Sequence, residues 1–204
     1  MNRVTEITAA PLLNGVLKIW VVNIGDTSGE IWSCQKQSSD PDSKWTKWCF
    51  WKNVRMDSHI TAAPLSDGRL QFWTVADNKI FTCWTQSTDP DSEWTEWTEF
   101  CIPPGGVDSS GCITAAPLSD GRLQLWIISK TTPRLQTCKT YIDKSYSWTE
   151  WSDFIPVLNN WSPLAVTPLS NGGLQLWASM DNEIISCWTQ STDPDSEWTE
   201  WSYF

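Results

Sequence analysis

The chain has 204 residues with 14 Lys and Arg against 24 Asp and Glu, a net charge of -10. That balance repels phosphate backbones, and with no basic stripe to offset it, nucleic acid and anionic membrane surfaces make poor partners. No window approaches the roughly 18 apolar residues of a membrane span. Met1 to Val22, with Glu6 inside it and Lys18 near its end, lacks the basic start and clean apolar run of a signal peptide.

Taken in order, the chain says the same thing four times. Ile7-Thr8-Ala9-Ala10-Pro11-Leu12 is followed by Asn14-Gly15 and by Val16 to Val22; the series returns as Ile60 to Leu65, Asp67-Gly68 and Arg69 to Val75. It returns again as Ile113 to Leu118, Asp120-Gly121 and Arg122 to Ile128, and once more as Leu164 to Leu169, Asn171-Gly172 and Gly173 to Trp177. An Asn-Gly or Asp-Gly pair between short apolar runs predicts a hairpin in which both turn residues take positive φ. After each hairpin comes a polar turn (Gly25 to Gly29, Asp77-Asn78, Asp181-Asn182) and a third run, clearest at Ile80 to Thr85 and Ile184 to Thr189. These runs are rich in β-branched and aromatic residues, as strands require. Ser87 to Ser92 is then a loop by composition, with Pro90 presetting a turn dihedral. The fourth run is predicted over Trp94 to Phe100 and Trp198 to Phe204. The segment Cys83 to Trp97 recurs letter for letter at Cys187 to Trp201, with weaker copies ending at Trp48 and Trp151.

Four short antiparallel strands repeating about every 50 residues describe a propeller blade. The expectation is an all-β, four-bladed β-propeller forming one domain over residues 1–204, with blades at about 1–53, 54–106, 107–158 and 159–204. The linkers fall at Lys52 to His59, Cys101 to Gly111 and Ile155 to Ser162. All four blades read as complete; a ring closed within one chain is the first expectation, and half of a larger ring completed by a second chain is its rival. Trp94 and Trp97, three apart on one strand, are expected to point to opposite faces and to pack between blades. Trp20, Trp73, Trp126 and Trp177 occur in every blade and read as core.

Four of the seven cysteines, Cys34, Cys83, Cys138 and Cys187, hold one repeat position and read as buried thiols. An odd count without a secretory signal predicts a cytoplasm-like compartment, or export without a classical signal. No close Cys/His pair seeds a zinc site. The Asp-Pro-Asp-Ser loops read as solvated turns; a calcium site is the alternative there, short of the usual ligand number. His59, the only histidine, sits in a linker and leaves a Ser/His/Asp hydrolase little to stand on. Asp89, Asp91 and Glu93 recur as Asp193, Asp195 and Glu197, unlike the unique carboxylate pair of a glycoside hydrolase. No catalysis, cofactor or metal is expected.

The pattern Ser-Asp-Gly-Arg-Leu-Gln-Leu-Trp at Ser119 to Trp126, with the later Asp89 to Trp97, resembles the blade repeat of the PLL-like bacterial β-propeller lectins. The resemblance covers essentially the whole chain, although those lectins have seven repeats. It implies binding of fucose or related sugars between adjacent blades. Independently, a pyranose offers an apolar C–H face to an indole and hydroxyls to polar neighbours. Trp84 and Trp188 are the position that varies while the scaffold repeats, becoming Gln35 and Lys139 in the other blades. The candidate carbohydrate-binding set is therefore Trp84 and Trp188, with Gln86, Gln190, Arg69, Arg122, Trp94 and Trp198. Trp94 and Trp198 read mostly as packing, and the two arginines as mostly solvated. The rival function is a protein-interaction or structural propeller whose exposed indoles serve a partner or a homo-oligomer. Hemopexin-like four-bladed propellers close with a disulfide between first and last blades, a closure not evident from Cys34 and Cys187.

Overall fold

The structure is a computed structural model that describes residues 3–24, 29–54, 58–107, 111–129, 134–141, 147–154, 163–180 and 183–203. Blade one is β1 (Arg3–Pro11), β2 (Leu17–Ile24), β3 (Gly29–Gln35) and β4 (Cys49–Val54). Blade two is β5 (His59–Pro64), β6 (Leu70–Ala76), β7 (Lys79–Trp84) and β8 (Thr98–Phe100). Blade three is β9 (Ile113–Pro117), β10 (Leu123–Ser129), β11 (Arg134–Lys139) and β12 (Ser152–Asp153). Blade four is β13 (Leu164–Pro168), β14 (Leu174–Met180), β15 (Glu183–Trp188) and β16 (Ser202–Tyr203). Each blade is an antiparallel four-stranded meander, so the chain is all-β with four blades of β-propeller type. The turns predicted at 25–28 and at Asp181-Asn182, the linker residues 55–57, 108–110 and 155–162, and the last residue of the fourth run lie outside the described residues.

The four hairpins differ from the expected geometry. Only the glycines Gly15, Gly68, Gly121 and Gly172 take positive φ, between 78° and 86°. Each glycine N–H donates to the Leu carbonyl three residues back, as Gly68 does to Leu65 at 2.9 Å, and the same leucine N–H reaches the residue after the glycine. This is the three-residue loop ending in a left-handed glycine. The Asn or Asp before it contributes its side chain: Asn14, Asp67, Asp120 and Asn171 accept the N–H two residues on at 3.0 to 3.1 Å. Two consecutive positive-φ residues occur instead at Asp77 and Asn78, the two-residue turn joining β6 to β7.

The chain divides into two compact units, blades one and two in the first, blades three and four with Ile102–Val107 in the second. Each blade has two apolar faces, because strand neighbours point opposite ways: a tryptophan face (Trp20, Trp73, Trp126, Trp177) and a cysteine face (Cys34, Cys83, Cys138, Cys187). In the first unit the tryptophan face of blade one (Trp20, Val22, Ile31) packs with the cysteine face of blade two (Ile60, Leu70, Phe72, Cys83). In the second unit Trp126, Ile128 and Leu135 pack likewise with Leu174, Leu176 and Cys187. Cys34, Cys83, Cys138 and Cys187 are buried and form no disulfide, as predicted; burial pushes the Cys83 and Cys187 thiols up to about 12.

The fourth strands are shorter than predicted. Trp94 and Trp198 lie outside them, each in a single bridge, to Thr85 and Thr189. Trp94 and Trp97 therefore do not alternate across one strand. Both join the first unit's core, with Trp51 at 4.7 and 6.0 Å and Phe72 at 6.2 and 6.0 Å. In the second unit Leu176 stands at the position of Phe72, and Phe154, at the position of Trp51, supplies the ring against Trp126 and Trp198. His59 is not in a linker: it opens β5, with Nδ1 2.9 Å from a Glu6 carboxylate oxygen.

Candidate functional site

The variable position at Gln35, Trp84, Lys139 and Trp188 is held the same way in every blade. The threonine of each Trp-Thr-x-Trp segment donates its N–H to the carbonyl at this position and accepts the N–H there with its hydroxyl. For Trp84 the partner is Thr95, at 2.9 and 3.1 Å; Thr46, Thr149 and Thr199 do the same for the others. The backbone is fixed, and the side chain is free to differ between blades.

It differs by a rule. The position pairs across the ladder with a residue of the second strand, giving Lys18↔Gln35, Gln71↔Trp84, Gln124↔Lys139 and Gln175↔Trp188. The first blade of each unit thus carries one lysine and one glutamine in this pair, on opposite strands in the two units. Both ammonium groups reach the same target on the next blade. Lys18 Nζ donates to the Pro90 carbonyl at 3.0 Å, and Lys139 Nζ to the Pro194 carbonyl at 2.8 Å. The Asp-Pro-Asp-Ser loop is shaped to receive it. Ser87 N–H bonds the Ser92 hydroxyl and Asp91 N–H the Asp89 carboxylate, with the same set in blade four. In the second unit Asp195 also takes Lys139 at 3.1 Å and Arg122 at 2.9 Å, while Arg122 holds its own Asp120 at 2.6 Å. These hydrogen bonds keep the Asp195 carboxyl below its ordinary range.

Two expectations change here. The blade-four loop is not a merely solvated turn, and Arg122 is not a merely solvated arginine: together they tie two blades. Arg69 pairs with its own Asp67 at 2.7 Å. Within each unit the candidate residues are divided between core and surface. Trp94 and Trp198 sit in the cores between blades, Trp94 6.1 Å from Trp20 and Trp198 5.9 Å from Trp126. Trp84 and Trp188 lie on the tryptophan faces of blades two and four, turned away from the blade each packs on in its unit; Trp188 is 39% exposed. Gln86 and Gln190 are exposed, and their N–H groups close the loops onto Glu93 and Glu197. No cluster of three or more His, Cys, Asp or Glu side chains is arranged for a metal among the described residues.

A polar recess occurs elsewhere, on blade three. A cavity of about 490 Å³ is lined by Arg134, Gln136, Trp151 and Asp153, with Pro104 and Gly105. Arg134 and Asp153 pair at 2.6 Å, and Gln136 Nε2 donates to Asp153 at 3.2 Å. Gln136 is 4% exposed, yet its Oε1 has no partner among the described residues. A buried acceptor left open is costly unless something supplies a donor. The corresponding residues in blade two are Lys79, Phe81, Trp97 and Glu99. There the ion pair persists at 2.7 Å, but Phe81 replaces the glutamine and faces an apolar hollow of about 290 Å³. Blades one and four have Trp32 and Ile185 at this position. Gln136 is the signal that sequence reading passed over: a polar residue in a slot that is apolar in three sister blades.

No protein-family model matches the chain, and no curated protein does. Solved structures share its fold. The SapL1 lectin, solved with α-methyl fucoside, is 17% identical with a TM-score of 0.63; the match covers 97% of this chain and 64% of that one. The six-bladed fucose lectin of Aleuria aurantia is 10% identical with a TM-score of 0.60, covering 100% and 78%. The NanB sialidase of Streptococcus pneumoniae is 11% identical with a TM-score of 0.67, and the chain spans 52% of its length. At these identities the likeness is one of fold, shared by lectins and an enzyme alike.

Proposed function

We propose that this chain is a non-catalytic carbohydrate-binding propeller and that the blade-three recess is its principal sugar site. The observation that carries the reading is the unpartnered Gln136 Oε1, buried beside an indole and an ion pair. With the Gln136 amide turned into the recess, a sugar hydroxyl donates to that oxygen, the C–H face of the ring lies on Trp151, and Arg134 and Asp153 offer further donors and acceptors. The volume falls in the range of ligand pockets, roughly 300–1,000 Å³. Fucose and its α-methyl glycoside are the first ligands to test, because the SapL1 and Aleuria lectins of the same fold take fucose. The second reading places sugars on Trp84 and Trp188 with Gln86 and Gln190; the exposure of Trp188 and the fixed backbone beneath it favour a role for that side chain.

Calorimetric titration with methyl α-fucoside, preceded by a glycan array, tests both. Gln136→Leu should weaken binding at least about tenfold, the loss of one buried hydrogen bond, while leaving the melting temperature unchanged or raised. Trp84→Ala with Trp188→Ala should leave binding intact. The opposite pattern moves the site to the two indoles. Failure to bind any glycan at millimolar sugar ends the carbohydrate reading.

A further inference from the structure

One face of blade one and one face of blade four are more exposed than the corresponding faces of the other blade in the same unit. In blade two, Ile60 packs on blade one and is 4% exposed; its counterpart in blade one, Ile7, is 65% exposed. Trp94 and Trp97 join the core between those blades, whereas their counterparts Trp45 and Trp48 are exposed, with Phe50 beside Trp32 at 5.9 Å. Leu135 of blade three packs on blade four and is 0% exposed; its counterpart Ile184 is 55% exposed, on the same face as Trp188. Trp177, the counterpart of the buried Trp20 and Trp126, is only half-buried. Blade one thus exposes Ile7, Trp45 and Trp48 beside its cysteine face, and blade four exposes Ile184 and Trp188 on its tryptophan face.

We infer that these faces bind each other between two copies of the chain, the tryptophan face of blade four seating on the partner's blade one. The contact continues the interface already built twice within the chain, with Trp177 and Ile184 in the roles of Trp20 and Ile31, and Ile7, Trp45 and Trp48 in the roles of Ile60, Trp94 and Trp97. The blade-one loop is adapted to this neighbour. Its Pro41 carbonyl, the counterpart of Pro90 and Pro194, is held by Lys36 of its own blade, where the other blades have Thr85, Thr140 and Thr189. It needs no lysine from the preceding blade, and blade four brings Trp188 at that position. Such a contact is heterologous, and it ends in a closed ring only if the rotation closes.

Sedimentation velocity over a concentration series, on the full chain and on Ile7→Glu and Ile184→Glu, tests this. Both substitutions fall on exposed side chains, so folding should be intact by circular dichroism. The wild-type chain should reach twice the monomer mass and associate more tightly as salt screens the net charge. Each variant should weaken association at least about thirtyfold, the effect of losing a central contact. An equimolar mixture of the two variants should recover a dimer, because each retains the face that the other lacks. A wild-type monomer at every concentration overturns the inference. If Ile7→Glu also lowers that monomer's melting temperature, the face is covered within one chain instead. An isologous dimer, in which one variant loses association and the other keeps it, overturns it too. Sugar titration is independent of all three outcomes.

Discussion

Phe72 is the most informative residue to remove. Its ring is fully buried and lies 4.9 to 6.2 Å from Trp20, Trp51, Trp94 and Trp97, so it joins side chains from both blades of the first unit. Phe72→Ala leaves a hole among four indoles whose fused rings cannot collapse into it. Loss of a buried Phe costs about 3–5 kcal/mol, and edge-to-face pairs worth about 0.5–1.5 kcal/mol each push toward the upper end without adding fully. Phe72→Leu installs the side chain that the second unit uses at Leu176 and should cost only about 1–1.5 kcal/mol. With roughly 2–4 °C per kcal/mol for a chain of this size, scanning calorimetry should show falls of about 6–20 °C for Ala and about 2–6 °C for Leu. Phe50→Ala, at a half-exposed ring, is the control and should move little. A Phe72→Ala loss below about 1 kcal/mol, or Leu as damaging as Ala, would show that the ring is not the wedge between the blades.

Three further outcomes are expected. Lys18→Gln should loosen the loop at Ser87 to Ser92, read as faster amide exchange there, and adding Gln35→Lys should restore protection by returning the ammonium from the other strand. Asp195 has its carboxyl depressed in the folded chain by Arg122 and Lys139, so the unfolded chain takes up that proton first. The clamp is then fully present above about pH 4 and is lost as the pH falls through the depressed value; exchange at 191–196 should rise over that window, and in Asp195→Asn it should be already raised and nearly flat with pH. Iodoacetamide at mildly alkaline pH should modify the exposed Cys49 and Cys101 while Cys83 and Cys187, buried and pushed up to about 12, stay protected until the chain is unfolded. Early labelling of Cys83 would place it outside the core.

The blades were legible because their cues are local and recur in phase: apolar runs of strand length, an Asn-Gly or Asp-Gly turn, and a proline loop. The buried tryptophans and cysteines followed from the same periodicity. The site was not legible in that way. Gln136 stands out only after Trp32, Phe81 and Ile185 are known to share its slot, and after its buried oxygen is found unpartnered beside a recess. Trp94 and Trp97 misled because a three-residue spacing implies opposite faces only on a continuous strand, and the strand begins later, at Thr98. The hairpin sequence was read correctly as a turn but wrongly as to its backbone: Asn14, Asp67, Asp120 and Asn171 are there for a side-chain oxygen, leaving the left-handed conformation to glycine. Arg122 was undervalued because its partner Asp195 is 73 residues away, beyond what any local pattern reveals.

The migrating lysine changes what counts as the repeated module. Counted by strands, the chain repeats about every 50 residues; within each unit the lysine adds a second tie, from the first blade to the next. Lys18 and Lys139 occupy different strands, yet both deliver an ammonium to a proline carbonyl on the following blade. What has been kept is a charge at a point in space, carried by whichever strand supplies it. Grip and gripped loop therefore belong together, and a shuffled array that cuts between them would leave one blade with an idle cation and the next with an unheld turn. Recombining this chain at the junction between its two units preserves both grips.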